Sequence, residues 1–122
     1  MKKNYLLTVL FKNNFNFAVV YLKILFMPKI LIYATAKVIW TFLIYGSDFN
    51  ENRAHVHVGK AGNLKLCKIW IEPEVSVADN GELTDKQIAQ VLSIAKKYQN
   101  KFLEQWQKFK DGDKVRIIKV NE

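Results

Sequence analysis

Both histidines of the chain fall in one tetrapeptide, His55-Val56-His57-Val58. In an extended strand, residues i and i+2 project to the same side. The two imidazoles are therefore neighbours, while Ala54, Val56 and Val58 pack inward. Valines bury well and unpartnered imidazoles do not, so the pattern predicts a His pair on an accessible face. Asp48, Glu51 and Arg53 lie just before it, in a polar loop that can fold over that face.

Three chemistries suit this group. Two imidazoles with a carboxylate, Glu51 or Asp48, form a ligand set for zinc or another transition metal. The same imidazoles can serve as general acid and base on RNA, because an unperturbed histidine titrates near pH 6.5. Arg53 would then stabilise the charge that develops on phosphorus. The pair can also simply bind an anion or a partner. The bland alternative is a structural pair, hydrogen-bonded at a sheet edge. No Gly-rich phosphate loop, Ser nucleophile elbow or His-Glu-x-x-His pattern is present, so no cofactor is expected; a divalent transition metal is the one exception that the His pair leaves open.

These residues need a scaffold. Lys37 to Tyr45 is dense in β-branched and aromatic residues on both faces and reads as a central strand. Gly46-Ser47-Asp48 breaks it. Ala54 to Val58 is a short second strand, Lys60-Ala61-Gly62-Asn63 a hairpin turn, and Leu64 to Glu72 a third strand ended by Pro73. Asp79-Asn80-Gly81 is a turn. Thr84 and Gln87 then form a capping box. Ile88, Val91, Leu92, Ala95, Tyr98, Phe102, Leu103, Trp106 and Phe109 recur at helical spacing. This predicts one helix of about 26 residues, about 39 Å long, ended at Asp111-Gly112. Lys114 to Val120 is a weakly patterned last strand. The expected fold is α+β: a small, mainly antiparallel sheet with one long amphipathic C-terminal helix packed on it.

Other side chains offer binding surfaces. Lys86, Lys97, Lys101 and Lys108 line the polar side of the predicted helix and can track phosphates, although Glu104 dilutes the stripe. Of Trp40, Trp70 and Trp106, Trp106 lies in the apolar stripe. Trp70 shares a strand face with Lys68 and Glu72 and is the better stacking candidate. Cys67 shares a face with Ile69 and Ile71 and reads as buried and inert. Glu72 and Glu74 flank Pro73, and nothing in the sequence pins them to the site.

The chain has 122 residues with 19 Lys and Arg against 11 Asp and Glu, a formal net charge of +8. That suits a polyanionic partner, RNA among them. Half of this charge sits in residues 1–26, which contain four lysines and no acid. Their two apolar stretches are shorter than the roughly 20 residues a bilayer span needs, so no stable membrane insertion is expected. Residues 1–26 read as an upstream extension, with a membrane-associated amphipathic lead as the rival reading; residues 27–122 read as a single α+β domain. One cysteine excludes an intramolecular disulfide framework and suits a reducing, cytoplasmic setting. Nothing in the chain sets an oligomeric state.

Taken together, Met27-Pro28-Lys29-Ile30, the aromatic strand ending in Ile44-Tyr45, the His55-Val56-His57-Val58 core, Ile69-Trp70-Ile71-Glu72-Pro73-Glu74-Val75 and the helix ending with Trp106 resemble a bacterial family catalogued as domain of unknown function 4160. The similarity covers about residues 27–110. Members commonly carry a further His four positions before the pair and then two prolines; here those positions are Glu51, Arg53 and Ala54. Glu can replace His as a ligand or as an acid–base group, whereas the rigid Pro-Pro lead into the strand is lost. The family has no established activity; the resemblance implies a compact bacterial protein, often encoded beside another small protein as its partner, and suspected of belonging to toxin–antitoxin modules. If such a module acts on RNA, the residue chemistry above makes His55, His57 and Arg53 catalytic, with Asp48, Glu51, Trp70, Lys97 and Lys101 binding.

Overall fold

The computed structural model describes residues 28–61 and 63–122; the expectation for residues 1–26 lies outside them. Strands β1 (Lys29–Ala34), β2 (Ile39–Leu43), β3 (His55–Lys60), β4 (Asn63–Trp70), β5 (Ser76–Asp79) and β6 (Ile118–Asn121) form one sheet in the order β5-β4-β3-β2-β1-β6. A 3-10 helix, Gly46–Asn50, interrupts the chain between β2 and β3. Helices α1 (Asp85–Lys97) and α2 (Gln99–Asp111) lie between β5 and β6. The α+β class is as expected. Among the described residues, no helix is long and apolar enough to cross a membrane.

The aromatic strand β2 is an inner strand between β1 and β3. Residues directly opposite one another in a ladder share a face. Phe42 faces Val58, and Cys67 faces Val58 from the other side; this face carries the main core. The Phe102 ring of α2 lies 5.1 Å from Phe42. Val56, Val58, Phe42 and Ile69 are all shielded from water, and Cys67 is buried beside them. The opposite parity puts His57 across from Leu43, and His55 across from Trp70. Covering on this second side is uneven: Ile39 at the start of β2 is 54% exposed, whereas Leu43 at its end is buried.

Two expectations are corrected. The single C-terminal helix is two. The N-cap is as read, with the Thr84 side chain accepting the Gln87 amide and the Gln87 side chain accepting that of Thr84. At Tyr98, however, the backbone leaves helical geometry, with φ −108° and ψ 18°. Two side-chain anchors sit at this junction: the Tyr98 ring lies edge-on to Tyr33, 6.4 Å away, and the Gln99 amide donates to the Ile71 carbonyl at 2.8 Å. Fixing the break to the sheet lets both apolar stretches stay in contact with the core. The lysine stripe is consequently divided between two helices.

The sheet is also mixed. Its first five strands pair antiparallel, but β6 runs parallel to β1, with Leu31 opposite Ile118 and Tyr33 opposite Val120. The long return through both helices brings the C-terminal strand back in that direction, as a crossover must. The Gln105 amide steadies the approach by donating to the Arg116 carbonyl at 3.1 Å. β5, not foreseen, pairs with β4 just beyond the Pro73 stop, with Val77 opposite Ile69.

Candidate functional site

The site is built where the 3-10 helix folds back over the start of β3. Asp48 is pulled inward by its own backbone neighbourhood: Oδ2 accepts the Tyr45 amide at 2.9 Å, a local turn closed by a short carboxylate side chain. The same oxygen lies 2.9 Å from His57 Nε2 and 3.1 Å from His55 Nε2. The two rings sit edge to face, with centroids 5.1 Å apart, so the strand period does place them together on one side. They are not on open surface. His55 is fully buried, and the His57 side chain keeps 13% of its exposure. This corrects the expectation of an accessible His face. The sequence pattern sets the side of the sheet; the covering comes from elements distant in sequence. Trp106 of α2 approaches His55 to 4.9 Å and Trp70 meets its ring edge-on at 5.6 Å, while Tyr45 stacks flat on His57 at 3.7 Å.

The hydrogen positions on His55 follow from its partners. Nδ1 lies 2.9 Å from the Arg53 carbonyl oxygen, which can only accept, so Nδ1 carries a proton. Nε2 then faces Asp48 Oδ2 at 3.1 Å and Glu51 Oε2 at 3.7 Å. It is close to both carboxylates, and it has no hydrogen-bond partner among the described residues. Asp48 is held as a carboxylate. Burial opposes its ionisation, but the two imidazoles outweigh that and keep its carboxyl well below the usual range. Burial and, secondarily, Asp48 raise the Tyr45 phenol above its ordinary value.

Of the other residues singled out from the sequence, Glu51 joins the cluster, half-exposed, with its other oxygen 3.4 Å from Lys68 Nζ. Arg53 contributes its carbonyl, not its charge. Its guanidinium donates to the Glu72 carbonyl at 2.9 Å and lies 4.1 Å over the Trp70 ring, so it is turned away from the imidazoles. Trp70 is part of the wall and carries Lys68 over its ring as well, at 4.6 Å. Glu72 anchors the strand entry by accepting the Ala54 amide at 2.9 Å. Lys97 pairs with Glu122 at 3.3 Å near the C-terminus, and Lys101 is exposed on α2; neither makes a described contact with the His cluster. Trp106 is core, as expected, and so is Cys67.

Three contributors escaped the sequence reading. Tyr45 closes the aromatic strand, and its alternation with Leu43 was a usable signal that it reaches the His side. Phe49 meets Phe109 edge-on at 6.0 Å. Lys110, at the end of α2, donates to the Phe49 carbonyl and, at 2.8 Å, to that of Glu51. It ties the loop to the helix across 59 residues of chain, a pairing no local pattern carries.

Asp48, His55 and His57 each offer a ligand atom, and these atoms all lie within 4.8 Å of one another. Around a tetrahedral zinc ion, neighbouring ligand atoms are about 3.3–3.5 Å apart. The two imidazoles lie 2.9 and 3.1 Å from Asp48, a little closer than that, and Glu51 lies 3.7 Å from His55, a little farther. The donors are of the type that zinc and its neighbours prefer.

Fold and site together define a small α+β protein with a buried His–carboxylate cluster at the entry to an inner strand. The chain belongs to the family described as domain of unknown function (DUF4160), whose profile matches residues 40–107, from β2 through most of α2. No curated protein and no solved structure matches it.

Proposed function

We propose that the loop and strand from Asp48 to His57 form a transition-metal-binding centre. His55 Nε2, His57 Nε2 and Asp48 are the ligands, and Glu51 is placed to complete four. One observation carries the reading. The buried His55 Nε2, its ring held from the far side by the Nδ1 bond to the Arg53 carbonyl, turns toward two carboxylates and has no hydrogen-bond partner among the described residues. Two imidazole nitrogens and two carboxylates converging on one point are satisfied by a positive charge there, a metal ion or a proton. A backbone carbonyl on the far nitrogen is also the usual support of a metal-bound imidazole. A proton shared between His55 and Asp48 is the competing occupant.

RNA-directed action within a toxin–antitoxin module, with an adjacent-gene protein as partner, is the second reading, and the net charge of +8 favours it. The metal reading draws on geometry as well. Acid–base work on RNA needs imidazoles that a substrate can reach, and His55 is sealed under Trp106.

Cobalt(II) titration of the full chain tests the metal centre. We expect visible absorption bands of a low-symmetry site at one ion per chain. Zinc at about 100 times its Kd should stabilise the fold by about 2.7 kcal/mol. Asp48→Asn and His57→Ala should abolish the bands, and Glu51→Gln should alter them. Absence of both bands and thermal shift in the wild type would assign the cluster to a proton instead.

A further inference from the structure

A cleft of about 540 Å³ opens among the β1–β2 turn, the end of β3 and the first turns of α1. We propose that it binds a small phosphorylated ligand of nucleotide size through Lys37, Lys60 and Lys86. This does not rest on the metal reading.

The three lysines come from three separate elements and line one concavity together with Gln87 and Gln90, and no acidic side chain lines it. Among the described residues none of the three makes an ion pair, whereas Lys68, Lys97 and Lys108 each lie against a carboxylate. Three cationic side chains lining one cleft with no acid on its walls make it electropositive, which suits a multiply charged anion. Lysine serves phosphate as a compact point charge with rotatable donors.

The elements that carry these groups are fixed in advance. Thr35 Oγ1 accepts the amides of Lys37 and Val38 at 3.2 and 3.1 Å, which sets the turn. The capping box sets the first turn of α1 by using the Gln87 oxygen, at 2.9 Å from the Thr84 amide. The Gln87 amide hydrogens remain for a ligand, beside the positive end of a 13-residue helix. The cleft floor includes Trp40, with Lys60 Nζ 5.7 Å from its ring. Trp40 is buried, and its indole N–H finds no acceptor among the described residues.

Size favours a small molecule over a nucleic-acid strand. The volume lies within the range of about 300–1,000 Å³ common to small-ligand sites. A strand would need an extended basic track. The lysine stripe expected to supply one is broken at Tyr98, and Lys97 and Lys108 are occupied by Glu122 and Glu104.

The test is calorimetric titration of the full chain with inorganic pyrophosphate, and separately with a single-stranded RNA 12-mer. Pyrophosphate should bind saturably at one site, and Lys60→Ala with Lys86→Ala should weaken it at least about tenfold. Removing the same charge elsewhere, by Lys114→Ala with Lys119→Ala, should change it less than about twofold. These lysines sit at the surface, so matched melting curves establish that all variants fold. The proposal is overturned by absence of saturable pyrophosphate binding, or by equal losses in the two double variants. It is also overturned if RNA binds more tightly and its binding depends on Lys114 and Lys119 as much as on Lys60 and Lys86.

Discussion

Residue chemistry in this chain is decided by what covers each group. The His55 and His57 side chains share a side because strand geometry alternates, and that much is legible from their spacing. Which of the nearby acids meets them is not. Asp48, seven positions before His55, is brought under both rings by its bond to the Tyr45 amide, while Glu51 stays at the edge. Cys67 shows the same dependence on covering. Burial, and then the Asp79 charge, push its thiol up to about 12. An unfolded thiol ionises near 8.5. Since the folded value is the higher, the stability from burying the neutral thiol is complete below about pH 8.5 and is lost as the pH rises toward about 12. At pH 10 the wild type should therefore be less stable than at pH 8 by about 2 kcal/mol more than Cys67→Ala is. Denaturant melts of both proteins at the two pH values measure this, and parallel losses would contradict it.

At the scale of elements, turns and caps were the most readable features because their chemistry is local. Thr84 and Gln87 bond as their spacing implies, and Asp79-Asn80-Gly81 turns with the Asp79 carboxylate accepting the Gly81 amide at 2.9 Å. Gly81 has φ +55°, and a Cβ there would lie 1.8 Å from the Leu66 carbonyl oxygen. Backbone cannot yield as a side-chain tip can. Gly81→Ala should destabilise the protein by more than about 1 kcal/mol, read as a lower denaturant midpoint at unchanged slope; a neutral substitution would mean that the turn rearranges. The break at Tyr98 was hidden because Tyr98 fits the apolar periodicity as well as a continuous helix requires. The anchors at the break are Tyr33 on β1 and Ile71 just past β4, both far from it in sequence. β5 and β6 were hard to read because they are edge strands of four residues each, too short for a period to emerge.

For the molecule as a whole, Trp106 links the layers. It is 6% exposed and touches both His55 and Phe109. Truncation to alanine removes core volume and unroofs the His cluster together, so Trp106→Ala should cost about 3–5 kcal/mol. Trp106→Phe keeps most of the volume and should cost less. If thermal melting of Trp106→Ala matched the wild type, α2 could not be packed as described. In the partly filled Phe variant, His55 should become more reactive to an imidazole-acylating reagent, which separates loss of the roof from loss of the fold.

The α+β class, the inner aromatic strand, the His-bearing strand, the hairpin after it and the helix cap all follow from the chain itself, since alternation, helical period and capping act over a few residues. The burial of the imidazoles, the choice of Asp48 as their partner, the Lys110 strut, the parallel β6 and the lysine-lined cleft belong to the tertiary structure. Each joins segments far apart in sequence, and such meetings are set by how the helices cross the sheet and not by any local pattern.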